Sequence, residues 1–243
     1  MITTISFDAD QTLWDQRGVM RGTYGRVLEE FKRHNRGAAA SVSVENFIED
    51  RMRAAEEFRG KPDLEELRQR GIQLTLMRAG IFDFRLVTEL NDLYLEHRFD
   101  SVEIFPEVIE TLTQLKHEYT MGLISNGADY PRGRGFEELF DFVVFANDHD
   151  FEKPDPRLFE MAFQAAQAGP TNFAHVGDSL VDDISGSRAA GCFGIWINRD
   201  QEVAEGIIPD AEISSLTELR VTIDRISLVQ NPLSFDESVT AWS

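Results

Sequence analysis

Cysteine is nearly missing from this chain: Cys192 stands alone among 243 residues. No internal disulfide is possible, and a reducing compartment is the expectation. Basic residues are scarce too, with Lys and Arg totalling 24 against 43 Asp and Glu, a formal net charge of −19. Nucleic acid and anionic membrane surfaces are therefore poor partners, and an anionic substrate needs a local cation to reverse the field. No apolar run approaches the about 18 residues needed to span a bilayer. The N-terminus lacks the basic-then-apolar pattern of a signal peptide, so a cytoplasmic soluble protein is expected. The rest is ordinary: hydrophobic residues are 42% and charged ones 28%. Such a chain can bury a sizeable core, as one large domain or as a domain carrying an insertion.

Short apolar runs occur at Thr3–Phe7, Tyr119–Ile124, Phe142–Phe145, Phe173–Val176 and Phe193–Ile197. Each is apolar on both faces and is followed by polar or glycine residues, which predicts buried strands. Helical spacing fills Glu107–His117, Pro156–Gln167 and Asp182–Ala190 between the later runs. That alternation predicts a parallel sheet covered by helices, an α/β fold. Ligands in such sheets collect at the carboxyl ends of the strands. The polar residues ending these runs are Asp8, Ser125, Asn147–Asp148 and Asp178.

The stretch from about Arg17 to His97 has no clear strand. Val27, Leu28 and Phe31 form one apolar stripe, and Phe47, Ile48 and Met52 a second. Leu64, Leu67 and Leu74 form a third, with Asp63 placed as an N-cap and Glu66 three residues on. Leu86, Leu90, Leu93 and Leu95 mark a fourth. A helical block directly after an Asp-bearing strand predicts a small all-helical cap over the site. The expected division is a core of 1–15 and 100–225, a cap of 16–99, and a polar, aperiodic tail of 226–243.

The opening strand ends in D-A-D-Q-T. In an extended chain Asp8 and Asp10 point the same way, so their carboxylates repel and one is pressed to keep its proton. A calcium loop is excluded, because Leu13 stands where glycine is required and Val19 where a bidentate Glu belongs. A hydroxyl follows at Thr12. The strand G-L-I-S-N-G places Ser125 and Asn126 at the same sheet edge. In F-E-K-P-D-P, the prolines stiffen the approach of Lys153 to the helix behind it. In H-V-G-D-S-L-V-D-D, Asp178 ends a strand and the doublet Asp182–Asp183 follows about one helical turn later. Taken singly, each has a bland reading as a turn, a helix cap or a solvated charge.

In chain order the four read D-x-D-x-T, a hydrophobic strand ending in Ser, Lys-Pro, and G-D-S-x-x-x-D. This set resembles the haloacid dehalogenase superfamily, in its phosphatase branch with a helical cap after the first core strand. The resemblance spans Ile2 to about Ile197. It implies a Rossmann-like core, a mobile cap, Mg²⁺ and a covalent aspartyl-phosphate. Carried over, Asp8 is the nucleophile, and Asp10 the general acid–base whose carbonyl also binds metal. Thr12, Ser125 and Asn126 hold the phosphoryl oxygens, and Lys153 balances charge there. Asp178 binds the metal, with Asp183 preferred to Asp182 as the later acid. The implied activity is hydrolysis of a small phosphorylated metabolite.

Two departures stand out. Gln11 occupies a position where the family commonly has glycine, an acid or an amide. The segment after Ser125 (NGADYPRGRGFEELF) is too rich in glycine and proline for a full helix, and Arg132 and Arg134 there read as solvated residues before substrate contacts. Related dehalogenases replace the second aspartate, which Asp10 retains. A phosphomutase of the same superfamily shares every motif, and a non-catalytic phospho-acceptor is the alternative from another class. Trp14, Arg17, Arg21 and Tyr24 are the cap-side residues nearest the nucleophile in sequence.

Overall fold

The computed structural model describes residues 1–59, 63–100, 102–136 and 138–230. Strand β1 (Thr4–Phe7) is buried throughout, as a run apolar on both faces requires. It pairs in parallel with β2 (Thr120–Ser125) on one side and with β4 (Phe173–Gly177) on the other. Strand β3 (Phe142–Phe145) extends the sheet beyond β2; β5 (Phe193–Ile197) and β6 (Ala211–Ile213) extend it beyond β4. The six-stranded order is β3-β2-β1-β4-β5-β6, parallel throughout. This is the Rossmann-like arrangement. The direction of winding reverses between β1 and β4, and the crevice beyond their carboxyl ends is where ligands are received.

Between β1 and β2 come α1 (Gln16–His34), α2 (Arg36–Ala39), α3 (Val44–Glu57), α4 (Leu64–Arg78), α5 (Phe84–His97) and α6 (Val108–Leu115). The first five form the all-helical insert. They bury their own hydrophobic cluster, which includes Tyr24, Phe31, Phe47, Ile72, Leu90 and Tyr94. Side-chain caps set their starts: Asp63 accepts from the Glu66 amide, Ser43 and Asn46 form a capping box, and Asp83 caps α5. Leu28, Leu67 and Leu86 are buried as their stripes require, but Met52 is not. It is 60% exposed, because it sits on the edge of α3 that faces the cleft.

The core sheet is covered on one face by a cluster containing Val108, Leu112, Leu216 and Ile223. A second cluster, built on Phe142, Phe159, Phe163 and Phe173, covers the other. Helix α7 (Pro156–Ala166) starts at Asp155, whose side chain accepts from the Arg157 amide, with Pro156 at the position where a missing N–H costs nothing. After β4 a π-helical turn, Leu180–Ser185, leads into the short α8 (Gly186–Ala189), where the spacing predicts one plain helix. Helix α9 (Leu219–Gln230) runs past the expected core limit at 225. The remainder of the expected tail, 231–243, lies outside the described residues.

Candidate active site

The carboxyl ends of β1, β2 and β4 deliver Asp8, Ser125 and Asp178 to one cleft of about 750 Å³, a volume suited to a small molecule. Asp10, Asn126, Lys153 and both residues of the Asp182–Asp183 doublet also line it. Lys153 is its centre. The Lys153 Nζ donates to Asp8 Oδ1 at 2.6 Å, to Asp183 Oδ1 at 2.6 Å and to the Ile124 carbonyl at 3.1 Å. Its side chain is only 2% exposed, and burial favours the neutral amine, yet the two carboxylates win and hold it charged.

Lys153 is held at its backbone as well as its tip. The Lys153 amide donates to Asn126 Oδ1 at 2.7 Å, and Asn126 Nδ2 donates to the Lys153 carbonyl at 3.1 Å. Asn126, expected among the phosphate ligands, thus braces the Lys153 backbone through its Oδ1 and one Nδ2 hydrogen, and it lines the cleft with its second amide hydrogen unassigned. Ser125 Oγ accepts from the Gly127 amide at 2.9 Å, so its own hydrogen is free to donate. Thr12 Oγ1 is buried with no partner. A buried hydroxyl costs free energy unless a ligand or water satisfies it.

The doublet separates cleanly. Asp183 is buried and accepts from Lys153, from His175 Nε2 at 3.1 Å and from the Ser179 amide at 2.9 Å. Burial alone would raise its carboxyl, but Lys153 and His175 hold it well below the usual carboxylate range. Asp182 stays outside this network and binds neither Lys153 nor His175. Gly177 makes the arrangement possible, since a Cβ there would stand 2.2 Å from Asp183 Cγ. Asp178 is positioned through its carbonyl, which accepts from Trp196 Nε1 at 2.7 Å.

Oxygens of Asp8, Asp178 and Asp183 lie within 4.8 Å of one another. Burial, then neighbouring negative charge, lifts Asp178 to about 7. Burial also carries Asp8 well above its ordinary value, although Lys153 opposes the rise. Crowded carboxylates with one lysine between them lack positive charge. A donor set of hard oxygens in that condition fits a divalent cation such as Mg²⁺, Mn²⁺ or Ca²⁺. The Asp10 carboxylate stands outside this cluster. It accepts from Trp14 Nε1 at 3.1 Å, and burial lifts it to about 6 against the pull of that hydrogen bond and of Lys153.

One contributor, His175, was not foreseen, and Trp14, expected on the cap side, takes a different place. Trp14 belongs to the core, 1% exposed, and orients Asp10. His175 is fully buried; its Nδ1 lies 2.8 Å from Ser6 Oγ while Nε2 faces Asp183. Burial keeps this imidazole below its usual value, so the neutral ring donates to Asp183 and accepts from Ser6. A polar residue in mid-strand was the only hint. The other cap-side candidates turn elsewhere: Arg17 pairs with Asp200 and Arg21 with Glu45 on the surface, and Tyr24 packs in the insert's own cluster. Gln11 takes φ 59°, a left-handed conformation that explains why glycine suits this position, and its side chain accepts from the Arg17 amide. Arg132 pairs with Asp129 and lies over Tyr130, outside the cleft lining.

A parallel sheet with a helical insert after its first strand, and acids, a lysine and hydroxyls at its switch point, defines a hydrolase-type centre. The model of the haloacid dehalogenase-like hydrolases matches residues 2–191, and the chain belongs to that family. Curated relatives include the 5-amino-6-(5-phospho-D-ribitylamino)uracil phosphatase YigB of Escherichia coli, 26% identical over 90% of this chain and 94% of its own length. The glyceraldehyde 3-phosphate phosphatase of Methanopyrus kandleri is 27% identical, over 90% of this chain and 96% of its own. Among solved structures, a 2-haloacid dehalogenase from Pseudomonas syringae pv. Tomato DC3000 is 33% identical, with TM-score 0.74 over 93% of this chain and 99% of that one. YfnB of Bacillus subtilis, bound to magnesium, shares the fold with TM-score 0.76 at 22% identity, over 92% of this chain and 99% of that one. Among the described residues, no helix is long and apolar enough to cross a membrane.

Proposed function

We propose that this enzyme hydrolyses monoesters of small phosphorylated metabolites with Mg²⁺, through a phosphoryl group carried on Asp8. The observation that supports it most is the division of labour between two carboxyls one residue apart. Asp8 sits against Lys153 and the acidic cluster, while Asp10 is turned away to Trp14. Asp8 Oδ1 is held by Lys153, so the other oxygen is the one available to attack phosphorus. The Ser125 hydroxyl in the cleft and the unpartnered, buried Thr12 hydroxyl are the donors left for the phosphoryl oxygens. The Lys153 ammonium, whose three hydrogens already reach Asp8, Asp183 and the Ile124 carbonyl, supplies positive charge beside them. Such positioning and charge stabilisation supply most of the catalysis in phosphoryl transfer.

Asp10, at about 6, holds its proton for part of the time near neutrality. It can give that proton to the departing alcohol and then draw one from the water that attacks the phosphorylated Asp8. Asp8 and Asp178, with Asp183 behind them and the Asp10 carbonyl, would hold the Mg²⁺. The ion, when bound, would supply the positive charge that keeps Asp8 ionised and neutralises the phosphoryl group. Multiple turnover of p-nitrophenyl phosphate, dependent on Mg²⁺ and lost in Asp8→Asn, is the expected result. Stoichiometric labelling without turnover would instead indicate a phospho-acceptor.

Dehalogenation of a 2-haloacid is the second reading, favoured by the 33%-identical neighbour. A departing halide needs no proton, so a buried acid poised at about 6 beside the nucleophile would lose its task as proton donor. Halide release from 2-chloropropionate in the absence of phosphatase turnover would select that reading over ours.

A further inference from the structure

The helical insert turns cationic side chains toward the cleft that the proposed chemistry leaves unused. Arg51 on α3, Arg68 on α4 and Arg98 just after α5 all line the cleft that holds Asp8 and Asp10. Arg98 is already matched, donating to Asp129 at 3.2 Å and lying over the Phe99 ring. Arg51 and Arg68 are not: within the described residues, neither side chain has a hydrogen bond or a salt bridge. Arg68 is only 9% exposed, and its Nε is buried without a partner. Burial, then the charges of Arg98 and Arg51, presses its guanidinium below the ordinary value.

A buried cation beside other cations is costly unless something neutralises it. Composition does not force this arrangement, because acidic residues outnumber basic ones 43 to 24. The backbone instead brings the pair together: at Gly71 helices α3 and α4 approach so closely that a Cβ would stand 2.9 Å from the Arg51 Cα. The two guanidinium groups therefore form a cationic wall on an otherwise acidic cleft. A planar guanidinium suits a carboxylate or phosphate, which it can grip with paired hydrogen bonds.

Their place also selects which end of a substrate they meet. Arg51 and Arg98 are felt at Asp10. The charges felt most at Asp8 are those of Lys153, Asp183, Asp178 and Asp10. Arg51 thus stands on the side of the proton donor, where the alcohol departs, with Arg68 lining the same cleft from the neighbouring helix, while Ser125 and Lys153 come from the sheet side.

We propose that Arg51 and Arg68 bind a second anionic group, a carboxylate or a phosphate, carried by the leaving-group half of the substrate. This names a substrate class for the phosphatase reading and rests on it. The experiment compares matched esters in the presence of Mg²⁺. Phosphoglycolate against ethyl phosphate tests a carboxylate tail, and 1,3-propanediol bisphosphate against 3-hydroxypropyl phosphate tests a phosphate tail. The member with the anionic tail should show a kcat/KM at least about ten-fold higher in one pair, as charge-assisted hydrogen bonds imply. Arg51→Gln and Arg68→Met should each erode that preference by about ten-fold, chiefly through KM, and Arg51→Lys should recover part of it. If Arg68→Met fails to fold by circular dichroism, Arg51→Gln, on a half-buried position, decides the matter alone. Equal slowing of both members of a pair would overturn the proposal, since the arginines would then act on Asp10 or on packing. Wild-type enzyme that turns over all four esters without preference also overturns it and leaves the phosphatase reading standing. No turnover of any ester, p-nitrophenyl phosphate included, removes that reading and the proposal with it.

Discussion

Lys153 Nζ lies 2.6 Å from Asp183 Oδ1, and the two side chains are 2% and 1% exposed. The same ammonium reaches Asp8 across the end of the sheet. One buried cation thus restrains two carboxylates, one just beyond β1 and one on the π-helical turn after β4. Removing it leaves uncompensated buried charge, which costs about 3–5 kcal/mol. Lys153→Met should therefore lower stability by roughly that amount in urea unfolding and abolish turnover. A Lys153→Met protein as stable as wild type would show that the lysine is not the site's counter-ion.

Asp8→Asn tests the nucleophile. An amide cannot attack phosphorus, so phosphate release should vanish while circular dichroism stays native. Lys153 keeps Asp183 as a partner in this variant, which protects the fold. Near-normal turnover would remove Asp8 from the chemistry.

Asp10→Asn separates the two carboxyls of the opening strand. Nucleophilic attack should survive, and the proton transfers should be lost, a contribution of about 10²–10⁴-fold. p-Nitrophenolate leaves without a proton, so its release should be impaired less than that of an alkyl alcohol. The phosphorylated protein should also accumulate, visible as added mass after rapid quench. Equal slowing of both leaving groups with no added mass would make Asp10 a structural residue.

Metal binding should be visible in stability against pH. Asp10 and Asp178 are lifted from 3.8 to about 6 and about 7 in the folded chain. A folded value above the unfolded one means that the folded chain holds the proton more tightly. In metal-free protein, these groups therefore stabilise the fold fully below 3.8, and that contribution is lost as pH rises through about 6 and 7. A cation in the acidic cluster needs Asp178 in its ionised form, whereas the Asp10 carboxyl stands outside that cluster. Mg²⁺ should accordingly raise Tm at pH 8 and scarcely at pH 5, with EDTA reversing the gain. Equal shifts at both pH values would separate metal binding from the Asp178 carboxyl.

Cys192 is 5% exposed, and burial pushes its thiol up to about 12. A thiolate is the reactive form, so native protein should resist iodoacetamide at pH 8 and be alkylated only in denaturant. Rapid native labelling would contradict the packing around β5.

Much of this protein was legible from local pattern. The first five strands, the helical character of the insert and the cap at Asp63 follow from periodicity and short-range hydrogen bonding, which operate within a few residues. So does the arrival of Asp8, Ser125 and Asp178 at one edge, because both-face-apolar strands in alternation with helices leave little but a parallel sheet. Strand β6 escaped notice because a three-residue edge strand has too few positions to show a pattern.

What the tertiary structure alone decided are the partnerships between distant residues. The motif spacing prefers Asp183 to its neighbour Asp182, but spacing gives no physical reason for the preference. Only the π-helical turn and the room left by Gly177 place Asp183 rather than Asp182 on Lys153. Asn126 reads as a residue of the sheet edge alone, and only the fold brings Lys153, 27 positions along the chain, against its amide. Ser6 and His175, 169 positions apart, meet because β1 and β4 are neighbours, which no local signal encodes. Arg51 and Arg68 look like two more solvated charges on amphipathic helices. The crossing of α3 over α4 buries one of them and turns both toward the cleft, since a side chain's surroundings are set by what packs against it and not by its neighbours in the chain.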